Sequence, residues 1–362
     1  MATAIQQRHA DRLIDSCYAG LDLSGLAAEV LRRLPGILPV EAAFFAAVDP
    51  ATLLFTSVVA QEPLADAGPL FLDNEFARED VNKFTALARG PDTVTSLDRA
   101  TGGRRSDSAR YREIMAGLGL GDELRAALIA GQDCWGVLCL HRADAEAGFS
   151  EPELATLRRI APHLAEGLRG SVLRERVTYD GPATPGAPGV ILLDGELRLV
   201  SINPEAERWL ARLPAPRARG LPLPVYSVAA RLASPHRARG PEAPEREPGE
   251  RHGSVRLRTD DGLWLTLHST RLRGPAGDQI CVVIERTPPT DLGSLLLAAH
   301  GLTPAQNRVT ALVLQGCSTR EIVTRLHISA YTVQEHLTAV FTRFGVRSRR
   351  ELIAALLSAQ RR

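Results

Sequence analysis

The chain has 362 residues, 23% of them charged and 44% hydrophobic, with a net charge of +1. That length exceeds one ordinary core and implies two or three domains. The composition excludes a wholly disordered chain. No stretch approaches the roughly 20 unbroken apolar residues of a membrane span, and the opening MATAIQQRHADRL lacks a signal-peptide core. The expectation is a cytoplasmic protein with no membrane partner.

Cys17, Cys134, Cys139, Cys281 and Cys317 are scattered and include no Cys-x-x-Cys pair. They fit neither a disulfide framework nor a zinc site and read as packed, reduced thiols. Among 43 basic residues the one lysine is Lys83, in VNKFT. A phosphate-binding G-x-x-x-x-G-K-[ST] loop is therefore excluded. The basic residues are also unevenly placed. From Gly301 to Arg362 nine arginines stand against three glutamates, a net of +6, which leaves about −5 for the rest. A basic terminal domain behind a mildly acidic body suits a protein that meets phosphate with one domain only.

In chain order, residues 1–19 form an N-terminal helical extension and 20–170 a mixed α/β domain. Leu26, Val30, Leu31 and Leu34 fall on one face of a helix over Ser24–Leu34. Strand-like runs follow at Val40–Val48 and Leu53–Ala60, then a hairpin of Leu124–Ala130 and Cys134–His141. Ser150 and Glu153 form a capping box for a helix carrying Leu154, Leu157, Ile160, Leu164 and Leu168. This order resembles a GAF domain. Asn82-Lys83-Phe84 resembles the opening of a motif of cyclic-nucleotide-binding GAF domains, but nothing continues it. Residues 171–189, ending in GPATPGAPG, read as a linker.

Over 190–287, two strands, a short helix and three strands, the first two of these joined at Asp261-Gly262, resemble a PAS domain, with Asn203 and Trp209 at familiar places. The likeness fails across the Pro- and Arg-rich stretch 211–252, where about 235–252 reads as a disordered insert. His141 and His268 read as half-exposed strand residues. No paired acids, nucleophile or metal spacing stands out in residues 1–300. Residues 288–299 read as a second linker.

Residues 300–362 carry the clearest signal. Thr303, Ser318, Ser329 and Ser348 cap four helices; Gln306, Glu321 and Glu351 complete capping boxes, and Gly316 and Gly345 end two of the helices. Val309, Leu312 and Val313 line the first helix, and Ile322, Val323 and Leu326 the second. Val333, Leu337, Val340, Phe341 and Phe344 line the third. Only His327-Ile328-Ser329 separates the second and third helices, which forces a helix-turn-helix. Opposite its apolar stripe the third helix shows Tyr331, Thr332, Gln334, Glu335, Thr338 and Arg343. Gln pairs with adenine and Glu accepts from cytosine in the major groove.

LTP, Glu321-Ile322, I-S-x-x-T-V-x-x-H-L and G-V-R-S-R-x-E-L resemble the signature of the LuxR/NarL/GerE family of transcriptional regulators, over some 55 residues. Gln306 stands where the family has Glu, and Val323 where it favours Ala. The resemblance implies base-facing Gln334, Glu335 and Thr338. It implies backbone contacts from Ser329, Tyr331, Thr332, His336, Arg343, Arg347 and Arg349, and dimerisation through Leu352, Ile353, Leu356 and Leu357. The fold class is thus α+β and multidomain: a GAF-like sensor domain, a PAS-like antiparallel-sheet domain and an all-α four-helix LuxR-type domain. The expected function is a non-enzymatic, one-component DNA-binding regulator without catalytic residues, metal or cofactor. Its partners are double-stranded DNA and a second copy, with room for RNA polymerase and an unidentified small-molecule effector. The alternatives are a sigma-like RNA polymerase accessory subunit and a chromophore-carrying or nucleotide-hydrolysing GAF module.

Overall fold

The computed structural model describes residues 4–144, 147–174, 187–213, 217–218, 220–233, 253–274 and 277–358. The proposed disordered insert at about 235–252 and most of the 171–189 linker lie outside them. Two compact units emerge: Met1–Ser171 with Ala183–Arg286, and Val172–Pro182 with Thr287–Arg362.

The first unit begins with α1 (Ala4–Tyr18) and α2 (Leu23–Arg33), the latter capped by Asp22, whose carboxylate accepts from the Gly25 amide. Strands β1 (Ala42–Val48), β2 (Phe55–Ala60), β3 (Val94–Ser96), β4 (Leu120–Ala130) and β5 (Asp133–Ala143) make an antiparallel sheet in the order β2-β1-β5-β4-β3. Between β2 and β4 lie α3 (Gly68–Ala77), α4 (Phe84–Arg89) and α5 (Leu97–Thr101). Helix α6 (Glu151–Arg174) follows β5 and buries Leu154, Leu157, Ile160, Leu164 and Leu168, the stripe its spacing predicts. It lies so close to the sheet that a Cβ at Gly136 of β5 would stand 2.3 Å from Leu168.

The second sheet comprises β6 (Gly189–Leu193), β7 (Leu199–Ile202), β10 (Gly253–Arg258), β11 (Trp264–Gly274) and β12 (Gly277–Arg286), in the order β10-β11-β12-β6-β7. Counted from its own first strand, this is the same 2-1-5-4-3 order as the first sheet. Helix α7 (Pro204–Leu210) follows β7, and the two-residue strands β8 (Arg217–Ala218) and β9 (Leu221–Pro222) precede α8 (Leu223–Ala233).

The Pro- and Arg-rich stretch 211–252 thus contains a helix. Residues 221–230 are all buried. One hydrophobic core joins Val48, Leu54, Phe55 and Val58 of the first sheet region to Val225, Tyr226 and Val228 of α8 and to Ile191, Val255, Leu267 and Val282 of the second sheet. The expected two separate domains therefore pack as one unit. Polar groups are paired across the junction. Ser227 Oγ accepts from the Phe55 amide at 3.0 Å, and Ser269 Oγ donates to the Val228 carbonyl at 2.7 Å. Gly253 is required here, because a Cβ on it would lie 2.6 Å from Ser269 Oγ and 2.9 Å from the Val228 oxygen.

The Arg256 guanidinium grips Asp49 through Nε at 2.8 Å and Nη2 at 2.7 Å, and both side chains are buried. A fork on a carboxylate is the strong form of such a pair. Removing one partner of a buried ion pair costs about 3–5 kcal/mol, because the other charge is left behind. Asp49→Ala is therefore expected to lower the stability of this unit by that amount, read as a shift in the urea midpoint followed by tryptophan fluorescence. Replacing both residues with apolar ones should recover most of it.

Candidate nucleic-acid interface

The second unit contains α9 (Pro289–Ala299), α10 (Pro304–Leu314), α11 (Thr319–Leu326), α12 (Ala330–Phe344) and α13 (Arg349–Ser358). The caps form as the residue types require. Thr303 Oγ1 accepts from the Gln306 amide while Gln306 Oε1 accepts from the Thr303 amide at 2.9 Å, so Gln serves this cap in place of Glu. Ser318 and Glu321 close the second box. Ser329 Oγ accepts from the Thr332 amide at 3.0 Å. Ser348 Oγ accepts from the Glu351 amide, but the Glu351 carboxylate accepts from the Arg347 amide, one residue before the cap. Both helix ends flanking the recognition segment turn through left-handed backbone, at His327 (φ 53°) before it and Gly345 (φ 64°) after it.

Val309, Val313, Ile322, Val333, Leu337, Val340, Leu352 and Leu356 form the core of this unit, with Val323 half-buried against it. Residues 288–299, expected as a linker, are mostly α9. Leu292, Leu295 and Ala299 are buried, and Leu296 and Leu297 pack on the same core. The spacing i, i+3, i+4, i+7 of Leu292, Leu295, Leu296 and Ala299 carries that helix in the sequence.

With Val333, Leu337 and Val340 turned inward, α12 presents Gln334, Glu335 and Thr338 to solvent, and Tyr331 is 72% exposed. Thr332 and His336 are half-buried at its margins, and Ser329 and Arg347 are exposed. Thr338 donates its hydroxyl hydrogen to the Gln334 carbonyl at 2.9 Å, which turns the hydroxyl back onto its own helix.

The arginines divide. Arg343 donates to the His300 carbonyl at 3.0 Å and to the Gly301 carbonyl, at the end of α9, and its neighbour Phe344 stacks on His300 with ring centroids 3.7 Å apart. Arg349 donates to the Cys317 carbonyl at 3.0 Å and to Thr319 Oγ1 at 2.8 Å. Both tie one helix to another; Arg349 is half-buried, and Arg343, which uses Nη1 alone for its two bonds, remains exposed.

The expected dimerisation set is also corrected. Leu352 and Leu356 are 0% and 2% exposed inside this unit's own core, so a second copy cannot reach them. Ile353 is half-buried against that core. The side chain of Leu357 lies outside the described residues. Truncating a buried leucine costs about 2–5 kcal/mol. Leu352→Ala is expected to melt this unit by that margin, seen by circular dichroism at protein concentrations low enough to keep the chain monomeric. A change that appeared only as altered oligomeric state would contradict the burial.

In the first unit the alternation of β4 and β5 gathers a second polar site. Glu123 pairs in register with His141, and Arg125 with Cys139, so all four share one sheet face. Arg110 binds Glu123 through Nε at 2.8 Å and Asn74 at 3.1 Å. Arg125 reaches Glu75 at 2.7 Å and lies 4.4 Å over the Phe84 ring. Cys139 Sγ donates to Glu123 Oε1 at 2.8 Å and lies 3.3 Å from His141 Nε2.

Glu123, Cys139 and His141 thus bring three ligand-type atoms within 4.8 Å, a cluster invisible to linear spacing. The carboxylate is already held by two guanidiniums, with Arg125 Nε 3.0 Å from Oε1. That leaves a closed network of ion pairs rather than an open cation site. Burial opposes the Glu123 charge, but Arg110 and Arg125 outweigh it and hold the carboxyl well below its usual range. Burial pushes the Cys139 thiol up.

His141 is fully buried, not half-exposed, whereas His268 is partly exposed, 3.2 Å from Glu285. Burial lowers the His141 pKa from 6.5 to about 4. Since that lies below the unfolded value, the unfolded chain takes up the proton first. Stability should therefore fall as the pH drops from 6.5 toward 4, with the full contribution present above 6.5. Melting temperatures across this range should show the slope in the native chain. In His141→Asn the slope should begin only near the Glu123 transition, below the ordinary glutamate value of 4.5.

Residues 300–356 match the sequence profile of bacterial regulatory proteins of the luxR family, and residues 22–168 match that of the GAF domain. A sequence named as an HTH-type transcriptional regulator from Mycobacterium bovis is 44% identical over 52 residues, 14% of this chain and 6% of that protein. The chain therefore spans only a small part of the curated relatives it matches. Among solved structures, the phycoerythrobilin-bound GAF domain of a cyanobacterial phytochrome aligns with a TM-score of 0.34 and 15% identity, covering 47% of this chain and 97% of that one. The GAF domain of an Acinetobacter phosphoenolpyruvate-protein phosphotransferase aligns with a TM-score of 0.33 and 13% identity, covering 46% and 93%. The chain carries a LuxR-type helix-turn-helix DNA-binding domain and, ahead of it, a GAF domain.

Proposed function

We propose that this chain, built from a GAF domain and a LuxR-type helix-turn-helix domain, is a one-component transcriptional regulator that reads DNA as a homodimer and catalyses no reaction. The observation that carries the reading is the division of α12. Its apolar side is buried in the second unit, and Gln334, Glu335 and Thr338 stand on a solvent-facing side framed by short residues. Such a helix fits the major groove, where base edges differ in their donors and acceptors.

In this reading Gln334 and Glu335 take base edges and Thr338 offers its methyl group to thymine. Ser329, Tyr331, Thr332, His336 and Arg347 line the backbone. Arg343 and Arg349 act at one remove, by holding α12 and α13 in place. Ile353 with the exposed Ala354 and Ala355 supplies the apolar side of α13 nearest to a second copy. Two copies then occupy half-sites about one helical turn apart. The 2-1-5-4-3 sheet with α8 is a PAS-like layer fused to the GAF domain, so a signal received in either reaches both. Among the described residues no helix is long and apolar enough to cross a membrane, in keeping with a cytoplasmic site of action.

The test is selection of a binding site from genomic fragments with full-length protein, followed by fluorescence anisotropy at several salt concentrations. Gln334→Ala should cost about 1–3 kcal/mol and relax preference at one base pair. Arg347→Ala should weaken all sequences alike and reduce the salt slope by about 1. Failure of the full-length chain to prefer any fragment would reject the proposal.

A further inference from the structure

The first unit holds a cleft of about 240 Å³ where α3, α4, the β1–β2 turn and α8 meet, lined by Thr52, Glu75, Glu79, Arg78, Lys83, Thr85, Arg89 and Arg231, among others. Four cationic side chains against two carboxylates give its wall a formal excess of positive charge. The carboxylates are further weakened as counterions. Glu75 spends Oε2 on Arg125 at 2.7 Å and Oε1 on the Phe84 amide at 2.8 Å, both away from the cleft. Glu79 is exposed at the rim.

The cations are differently placed. Arg78 is committed to Asp73 and Glu113. Lys83 donates to the backbone carbonyls of Asn74 and Arg78, where α3 ends, and among the described residues no carboxylate forms an ion pair with its ammonium. Burial pushes that ammonium below the ordinary lysine range, the mark of a charge short of compensation. Arg89 is exposed at the mouth and has no ion-pair partner among the described residues. Arg231 comes from α8 and donates to the Thr52 carbonyl at 2.6 Å, so the second sheet layer supplies one wall.

Resting on the regulator reading above, we propose that this cleft is an effector site for a small carboxylate- or phosphate-bearing anion, held by Lys83 and Arg89 against the α8 wall that Arg231 ties to Thr52. The space is far larger than one water needs, so a small anion can enter it. The occupant would touch α3 and α4 of the GAF domain and α8 of the adjoining layer together. It would thus tighten the seam whose core those elements share. The chain's one lysine stands in this wall, where a compact head on a flexible stem can cap α3 and still face the cleft, which a planar guanidinium cannot do equally well.

Hydrogen exchange of the full-length protein, resolved by peptide, tests this without reference to DNA binding. The probes are inorganic phosphate, succinate and 3-phosphoglycerate, each compared with sodium chloride at equal ionic strength. At tenfold excess over its dissociation constant, a bound probe should slow local opening by about tenfold. The expected result is such protection in peptides covering 73–90 and 223–233 with at least one probe, lost in Arg89→Glu and reduced in Arg231→Gln. Arg89 is exposed, so its variant should fold, and unchanged exchange elsewhere in the first unit checks that. No protection there with any of the three probes would overturn the proposal. So would protection that survives intact in Arg89→Glu, or protection confined to residues 300–358, which would mean phosphate on the helix-turn-helix domain alone.

Discussion

The burial of α8 between two sheets is the constraint on which the first unit depends. A helix whose eight consecutive positions 223–230 are all out of solvent has no polar face to offer over that length. It is stable only if both sides find apolar partners, and here each sheet supplies one. The polar groups drawn in with it must then be paired. Ser227 with the Phe55 amide, Ser269 with the Val228 carbonyl and Arg256 with Asp49 meet that demand. A sheet lost from this arrangement would expose the other's inner face, so the two layers stand or fall together.

This shared core gives the first unit a mechanical character that two domains on a flexible linker would lack. Elements around the β1–β2 turn touch α8, and α3 meets α8 closely enough that a Cβ on Gly68 would lie 3.1 Å from Leu223. A change in α3 or α4 is therefore felt by the second sheet through packed side chains, which have few alternative arrangements. The buried network of Arg110, Arg125, Glu123, Glu75 and His141 stiffens the opposite side of the same helices. Charges this deep are costly to separate, so the network resists movement while the cationic cleft beside it remains open.

How much of this the sequence disclosed follows from how each element is buried. Helices α10 to α13 were legible because each has a side chain that caps it and one exposed face, which imposes the 3.6-residue period on its apolar residues. Helix α6 was legible for the same reason, and β1, β2, β4 and β5 as apolar runs bounded by turn residues. Helix α8 was not, since a helix buried all round has no period, and LPLPVYSVAARLA sits among prolines and arginines that speak for loop. His141 escaped because β5 is buried on both faces, so alternation could not say whether its imidazole met water. The cluster around Glu123 escaped because its members come together only through the register of β4 and β5 and the long approach of Arg110. Helix α9 is different: its period was present and was outweighed by Pro288, Pro289 and Gly293.

The same distinction bears on what arginine means in this chain. With one lysine among 43 basic residues, guanidinium groups must do both the solvated and the structural work that other proteins divide between two residue types. A guanidinium has five donors and suits the carbonyl-rich ends of helices as well as it suits phosphate. Arg343 and Arg349 show this, each spending its donors on the end of a neighbouring helix. Net charge therefore counts guanidiniums that hold helices together along with those that face solvent. Arg308, Arg320, Arg325, Arg347 and Arg350 remain exposed on that domain.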